Sequence, residues 1–238
     1  YPPSADEDPD WSPEDSRFSV IRYFASDIQN AYGPHTADPR TGEIIESDIG
    51  WYHNVMNLLR NWYLIQTSAV NDNSRGVKFD DEIMGELIRF VSAHEVGHTI
   101  GLPHNMGSSF AYHVDSLRSP TFTTNHGVAP SIMDYARFNY VAQPEDGVTN
   151  FYPRVGEYDI WSIKWGYTYF DGEDKNSEKE ILNKWIKEKA DNYEYWFGYS
   201  NGIDPRSQTE SIGSDNMDAS YYGLLNLKRI VPNLINWT

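Results

Sequence analysis

The sequence predicts an α+β chain in two halves that flank a cleft, and three observations lead there. Two stretches near the N-terminus carry the β-branched and aromatic residues of strands. A helix near residues 80–100 continues an apolar stripe into a cluster of histidines. The chain beyond it reads as irregular segments and short helices, with no internal repeat. With 238 residues, 39% of them hydrophobic and 15% aromatic, the chain can bury a substantial core in one large domain or two small ones.

Residues 1–15 (YPPSADEDPDWSPED) are rich in Pro and Asp and read as an extended lead-in, without the ordered ligand spacing of a Ca²⁺ loop. Arg17 to Phe24 carries β-branched and aromatic residues in partial alternation and is a predicted strand. Gly33 to Gly42 has turn composition, and Glu43 to Ile49 is a second predicted strand. Val55, Leu58, Leu59, Trp62 and Gln66 trace the spacing of an amphipathic helix, with Asp48 as a candidate start. Asn71–Gly76 is a loop, after which Asp80, Asp81 and Glu82 place negative charge where a helix dipole favours it. In that helix Ile83, Met84, Leu87, Ile88, Phe90 and Val91 share a face with His94 and His98.

Residues 105–130 have little periodicity, and a loop of that length is expected to line the cleft. Tyr158–Tyr167 reads as a short helix stopped by Gly166, and Ser177–Glu180 as a capping box opening a helix striped by Ile181, Leu182, Trp185 and Ile186. A last helix runs from about Ala219 and is interrupted at Pro232. Most of the eight tryptophans and seventeen tyrosines fall at core spacing, which favours packing over a sugar-stacking surface.

Composition excludes several classes of function. A net charge of -16, from 19 basic and 35 acidic residues, argues against binding nucleic acid or an anionic membrane. No run approaches the ~18 to 20 apolar residues of a membrane span. Without cysteine there are no disulfides and no thiolate metal sites. The chain starts at Tyr1 rather than Met, as expected of a piece of a longer multidomain chain.

Chemistry concentrates in His94-Glu95-Val96-Gly97-His98-Thr99-Ile100-Gly101-Leu102-Pro103-His104, which reads H-E-x-x-H-x-x-G-x-x-H. Residues four apart share a helix face, so His94 and His98 can present ring nitrogens to one ion. Gly101 tolerates the turn that brings His104 back as a third ligand. From this chain's own residue frequencies the pattern arises by chance with a probability of about 3 in 10⁵. Three neutral imidazoles suit Zn²⁺ and leave a fourth position open for water, and Glu95, beside a ligand, is placed to act as general base. His35, His53, His113 and His126 have no partner at ligand spacing and are assigned surface or hydrogen-bonding roles.

These residues, with Ser131-Ile132-Met133-Asp134-Tyr135 about thirty positions downstream, resemble the metzincin zinc metalloproteases, in which a methionine turn follows the histidine motif. The S-x-M-x-Y form is similar to that of the astacin and serralysin branches. The text around it through Tyr140 more closely resembles the Met-zincin family of large exported bacterial proteins, strongly over about residues 15–170 and weakly over the last seventy. The resemblance implies a zincin-like catalytic domain over 16–238, with an N-terminal half of about 16–101 and a C-terminal half of about 102–238. It implies a protein or peptide substrate and an extracytoplasmic location. It also suggests that Tyr135 approaches the zinc as an extra ligand or as a hydroxyl donor to an oxyanion; the other reading is a core tyrosine. Metzincins usually place several strands before the active-site helix, whereas two are legible here, followed by a helix near 50–69. A zinc endopeptidase is the leading reading. A zinc-retaining binding module and a zinc hydrolase of a non-peptide amide, such as a glycan-linked one, are the alternatives.

Overall fold

A computed structural model describes residues 2–172, 174–200 and 202–238, and they form an α+β fold. A three-stranded sheet has β5 (Ile49–Tyr52) at its centre, parallel to β1 (Ile21–Phe24) and antiparallel to the two-residue β2 (Ala31–Tyr32). The central strand is the buried one, with Ile49 and Trp51 in the core, while β1 turns Ile21 and Tyr23 outward. A separate hairpin pairs β3 (His35–Ala37) with β4 (Ile44–Ser47).

Two of the predicted boundaries change here. The second predicted strand divides at Asp48, where the first part joins the hairpin and the second enters the sheet. Asp48 starts no helix, because its carboxylate accepts the Val20 N–H at 3.0 Å and pairs with Arg22 at 2.9 Å, tying β1 to β5. The stretch predicted as turn, 33–42, supplies β3, whose few polar residues carry no alternation that sequence could register.

Helix α1 (Val55–Thr67) buries Val55, Leu59, Tyr63 and Leu64, close to the stripe the spacing predicts. It packs on α2 (Asp81–Thr99), and the two share a core with Phe79, Phe138, Val148 and Phe151. The Tyr63 ring meets Phe138 edge-on at 5.0 Å and stacks on Tyr152 at 5.2 Å. This core therefore joins residues from both sides of Gly101.

The segment 105–130 departs furthest from expectation. It forms a 3-10 turn at Ser108–Ala111, α3 (Val114–Leu117) and α4 (Pro120–His126), the helices capped by the side chains of His113 and Ser119. Tyr112, Val114, Leu117 and Val128 fill a second core with Ala136, Val141, Ile212 and Ala219. Among the described residues, none from 105–130 lines the cleft around the histidines. Turns this short present too few successive apolar positions to leave a helical period, so a packed segment reads as loop.

Helix α5 (Glu157–Tyr167) contains Gly166 rather than stopping at it. The next helix, α6 (Lys175–Lys189), begins before the predicted capping box: the Asp174 carboxylate accepts the N–H groups of Asn176 and Ser177 at 2.7 and 3.0 Å. Helix α7 (Asn216–Ile230) ends as expected next to Pro232, in a 3-10 turn at Val231–Asn233 followed by α8 (Leu234–Trp237). Buried Asn226 of α7 donates to the carbonyls of Tyr140 and Ala142 at 2.9 and 2.8 Å, holding that segment in place. No helix among the described residues is long and apolar enough to cross a membrane.

Leu87 lies wholly buried where α1, α2 and the 138–151 segment meet. Leu87→Ala should lower the unfolding free energy by about 2 to 5 kcal/mol, the usual cost of a core cavity. Urea unfolding checks this, with a lower midpoint expected at an unchanged slope.

Candidate metal centre

Helix α2 is nucleated by Asp80, whose carboxylate accepts the Ile83 N–H at 2.8 Å, and it runs 19 residues to Thr99. It ends where the sequence analysis expects. Gly101 adopts a φ of +89°, which side-chain-bearing residues disfavour, and the Leu102 N–H returns to the Gly97 carbonyl at 3.0 Å. That reversal carries His104 back beneath the helix.

The three predicted imidazoles converge. A ring nitrogen from each of His94, His98 and His104 lies within 4.8 Å of the other two, with Nε2 of His98 and Nε2 of His104 only 3.0 Å apart. Three nitrogens each ~2.0 to 2.1 Å from a tetrahedral ion would stand roughly 3.3 Å apart, so the set fits zinc. Its protonation fits as well. His94 Nδ1 donates to the Ile132 carbonyl at 2.7 Å and His98 Nδ1 to the Leu102 carbonyl at 2.9 Å, which leaves both Nε2 lone pairs facing inward. Burial pushes all three rings toward the neutral form, His94 and His104 down to about 4. Lone pairs held this close repel one another unless a cation lies between them.

Residues 131–135 fold under this cluster as a tight turn. The Met133 side chain is fully buried against Gly97, where a Cβ would collide with its sulfur. Ile132 supplies the carbonyl that orients His94, and the Met133 carbonyl accepts the N–H of Asn105, next to His104, at 3.0 Å. Asp159 of α5 secures the turn, its buried carboxylate accepting from the Ser131 hydroxyl at 2.6 Å, the Ile132 N–H at 2.7 Å and the Gly156 N–H at 2.9 Å. Asp134, likewise buried, accepts the Ser109 N–H at 2.6 Å, and burial pushes its carboxyl up to about 7. On the far side Asn105 spans to the 193–198 segment, donating to the Trp196 carbonyl and accepting the Gly198 N–H, each at 2.9 Å.

The histidines open into a cleft of about 590 Å³ that Glu95 and Tyr135 also line. Glu95 is 6% exposed, and burial raises its carboxyl to about 7. Tyr135 is 37% exposed, its ring 4.5 Å from that of His104 and 5.5 Å from that of His94. It is not a core tyrosine. Burial, and next the nearby Glu95 charge, raise its pKa, so it remains a hydroxyl donor at neutral pH.

The sequence did not place any of Asn30–His35 at the cleft, although His35 has the hydrogen-bonding role expected of it. The far wall is the segment Asn30–His35, and His35 Nδ1 lies 2.9 Å from the carbonyl oxygen of His98. No periodicity or spacing links a histidine sixty-three positions upstream to the motif, so only the fold could reveal it. His53, His113 and His126 stand elsewhere, beside Tyr23, at the start of α3 and against Glu157 respectively.

A family model described as Met-zincin matches residues 76–238, more than half of the chain. The match reaches the C-terminus, so the last seventy residues, where the sequence resemblance is weak, lie within it; residues 1–75 lie outside it. No curated protein and no solved structure matches.

Asp159 holds the turn that orients His94, so Asp159→Ala should act at a distance from the histidines. Three orphaned donors predict a loss of about 3 kcal/mol or more in urea unfolding. Affinity for Zn²⁺, measured against a competing chelator, should weaken roughly 10- to 100-fold, as for other outer-shell losses.

Proposed function

The chain belongs to the Met-zincin family, and on that premise we propose that it is a zinc-dependent endopeptidase whose ligands are His94, His98 and His104. The observation that carries the proposal is the conjunction, in one open cleft, of three inward-facing imidazole nitrogens with a buried carboxylate that is not among them. Zinc held there would polarise a scissile carbonyl and bring the pKa of a water toward about 7. The Glu95 carboxylate takes the proton of the attacking water and returns it to the leaving amine nitrogen. We assign the Tyr135 hydroxyl to the developing oxyanion, which its exposure to the cleft supports. Met133 has no proton to exchange, and in this reading its turn is the apolar floor under the ligands. An extracytoplasmic location belongs to the same proposal.

A binding module would have no use for a general base, and a hydrolase of some other amide would leave proteins intact. Incubating the zinc-loaded chain with a panel of unrelated unfolded proteins separates these readings, since only an endopeptidase fragments them. Within that assay Glu95→Ala should retain zinc by elemental analysis yet lose about 10²- to 10⁴-fold in turnover. His98→Ala should lose the metal itself. Cleavage by Glu95→Ala at the parental rate would falsify the mechanism.

Tyr135→Phe removes one donor and keeps the ring. Melting temperature and zinc content should hold while kcat falls, toward the lower end of the 10²- to 10³-fold that one oxyanion donor contributes, and KM should move little. Measuring all four on one preparation checks the assignment, and an unchanged kcat rules it out.

A further inference from the structure

Behind the turn that delivers His104 lies a second cavity, of about 700 Å³, a size suited to a bound side chain or small molecule. Its walls are Tyr158, Trp161 and Trp165 of α5, Ile186 of α6, and Tyr195 and Phe197 of the segment that Asn105 braces. Gly101, Leu102 and Pro103 line both this cavity and the cleft. The cleft and the aromatic cavity therefore share one wall. Trp165 and Phe197 remain 37% and 42% exposed at its rim, an apolar surface of the kind that marks recognition sites.

We propose that this pocket receives a large apolar side chain of the peptide substrate, so that the enzyme selects chains carrying Trp, Phe or Leu near the scissile bond. The inference rests on the endopeptidase reading. The chemistry of the walls favours such a side chain over a sugar, because the lining is mainly aromatic and aliphatic and several of its polar groups are already engaged. The Tyr167 hydroxyl donates to the Ile100 carbonyl at 2.7 Å and that of Ser162 to the Asp159 carbonyl at 3.0 Å. The Lys189 ammonium sits 4.0 Å over the Tyr195 ring, and the Trp196 carbonyl accepts from Asn105. A sugar would exchange many hydrogen bonds with water for few here, whereas a phenyl ring loses none and an indole at most one. The pocket is also braced beforehand, with Trp161 against Tyr195 at 6.1 Å and Tyr158 against Phe197 at 6.5 Å, which keeps the ordering cost of binding low.

Gly166 supplies a way to fill it. This helical residue lines the cavity, and a Cβ built there meets no atom within 4 Å, so Gly166→Phe should fold and gain helix propensity. Ala190→Leu, on the opposite wall, is the second variant. The probes are four peptides, acetyl-Ala-Ala-Xaa-Ala-Ala-amide with Xaa as Trp, Phe, Leu or Ala, titrated calorimetrically into the zinc-loaded chain made inert by Glu95→Ala. The Trp and Phe peptides should bind at least about tenfold tighter than the Ala peptide, and either filling variant should shrink that ratio to within about threefold. A ratio near one in the Glu95→Ala chain, a ratio that survives both filled pockets, or tighter binding of diacetylchitobiose than of the Trp peptide would each overturn the proposal. Hydrolysis is scored separately on the chain with Glu95 intact: side-chain preference without cleavage of any peptide rejects the endopeptidase reading and leaves the pocket, and cleavage without preference does the opposite.

Discussion

The convergence of the histidines hangs on two backbone carbonyls of one turn. Ile132 accepts from His94 Nδ1, and Met133 accepts from the N–H of Asn105, so adjacent residues grip the first histidine and the segment carrying the last. A metal site demands that its ligands be held before the ion arrives, because any freedom lost on binding subtracts from affinity. The helix alone aligns His94 with His98; the third imidazole depends on the turn. That is why Asp159, which touches no histidine, matters: its buried carboxylate ties down the turn through Ser131 and Ile132 and accepts a third hydrogen bond from Gly156 at the start of its own helix. Burial raises its pKa and works against its charge, and those three donors work in its favour.

The two cores divide the remaining labour. The first sets α2 against α1 and the 138–151 segment, so the helix carrying His94 and His98 is seated by residues from before and after Gly101. The second is assembled from short turns between His104 and the methionine turn, together with Ile212 and Ala219 from the C-terminal region. By packing this connection rather than leaving it as an open loop, the fold gives the turn a rigid base. The cost is a set of buried serines and an Asp134 carboxyl oxygen that find no protein partner, in a region otherwise densely satisfied.

Legibility followed the range of each interaction. Helix α1, helix α2 with the acidic residues at its start, and the break at Pro232 were readable because propensity, the helix dipole and periodicity act within a few residues. The β3–β4 hairpin and the packed turns of 105–130 were not, since three or four residues leave no period and their stability comes from partners far along the chain. Asp48 is a case of right residue type and wrong partner: it has the chemistry of a helix cap, yet it binds Val20 and Arg22 across the sheet.

At the site the same division holds. The sequence by itself determined the candidate metal-binding histidines, the adjacent carboxylate and the turn at Gly101, because the spacing of His94 and His98 is a property of one helix and that of His104 a property of one short reversal. Only the tertiary structure decided that Tyr135 faces the cleft rather than the core, that His35 from the hairpin reaches the end of α2, and that α5, α6 and the 193–198 segment close an aromatic pocket beside Pro103. Those placements rest on contacts between residues tens of positions apart, and at such separations a one-dimensional pattern holds no record of which surfaces meet.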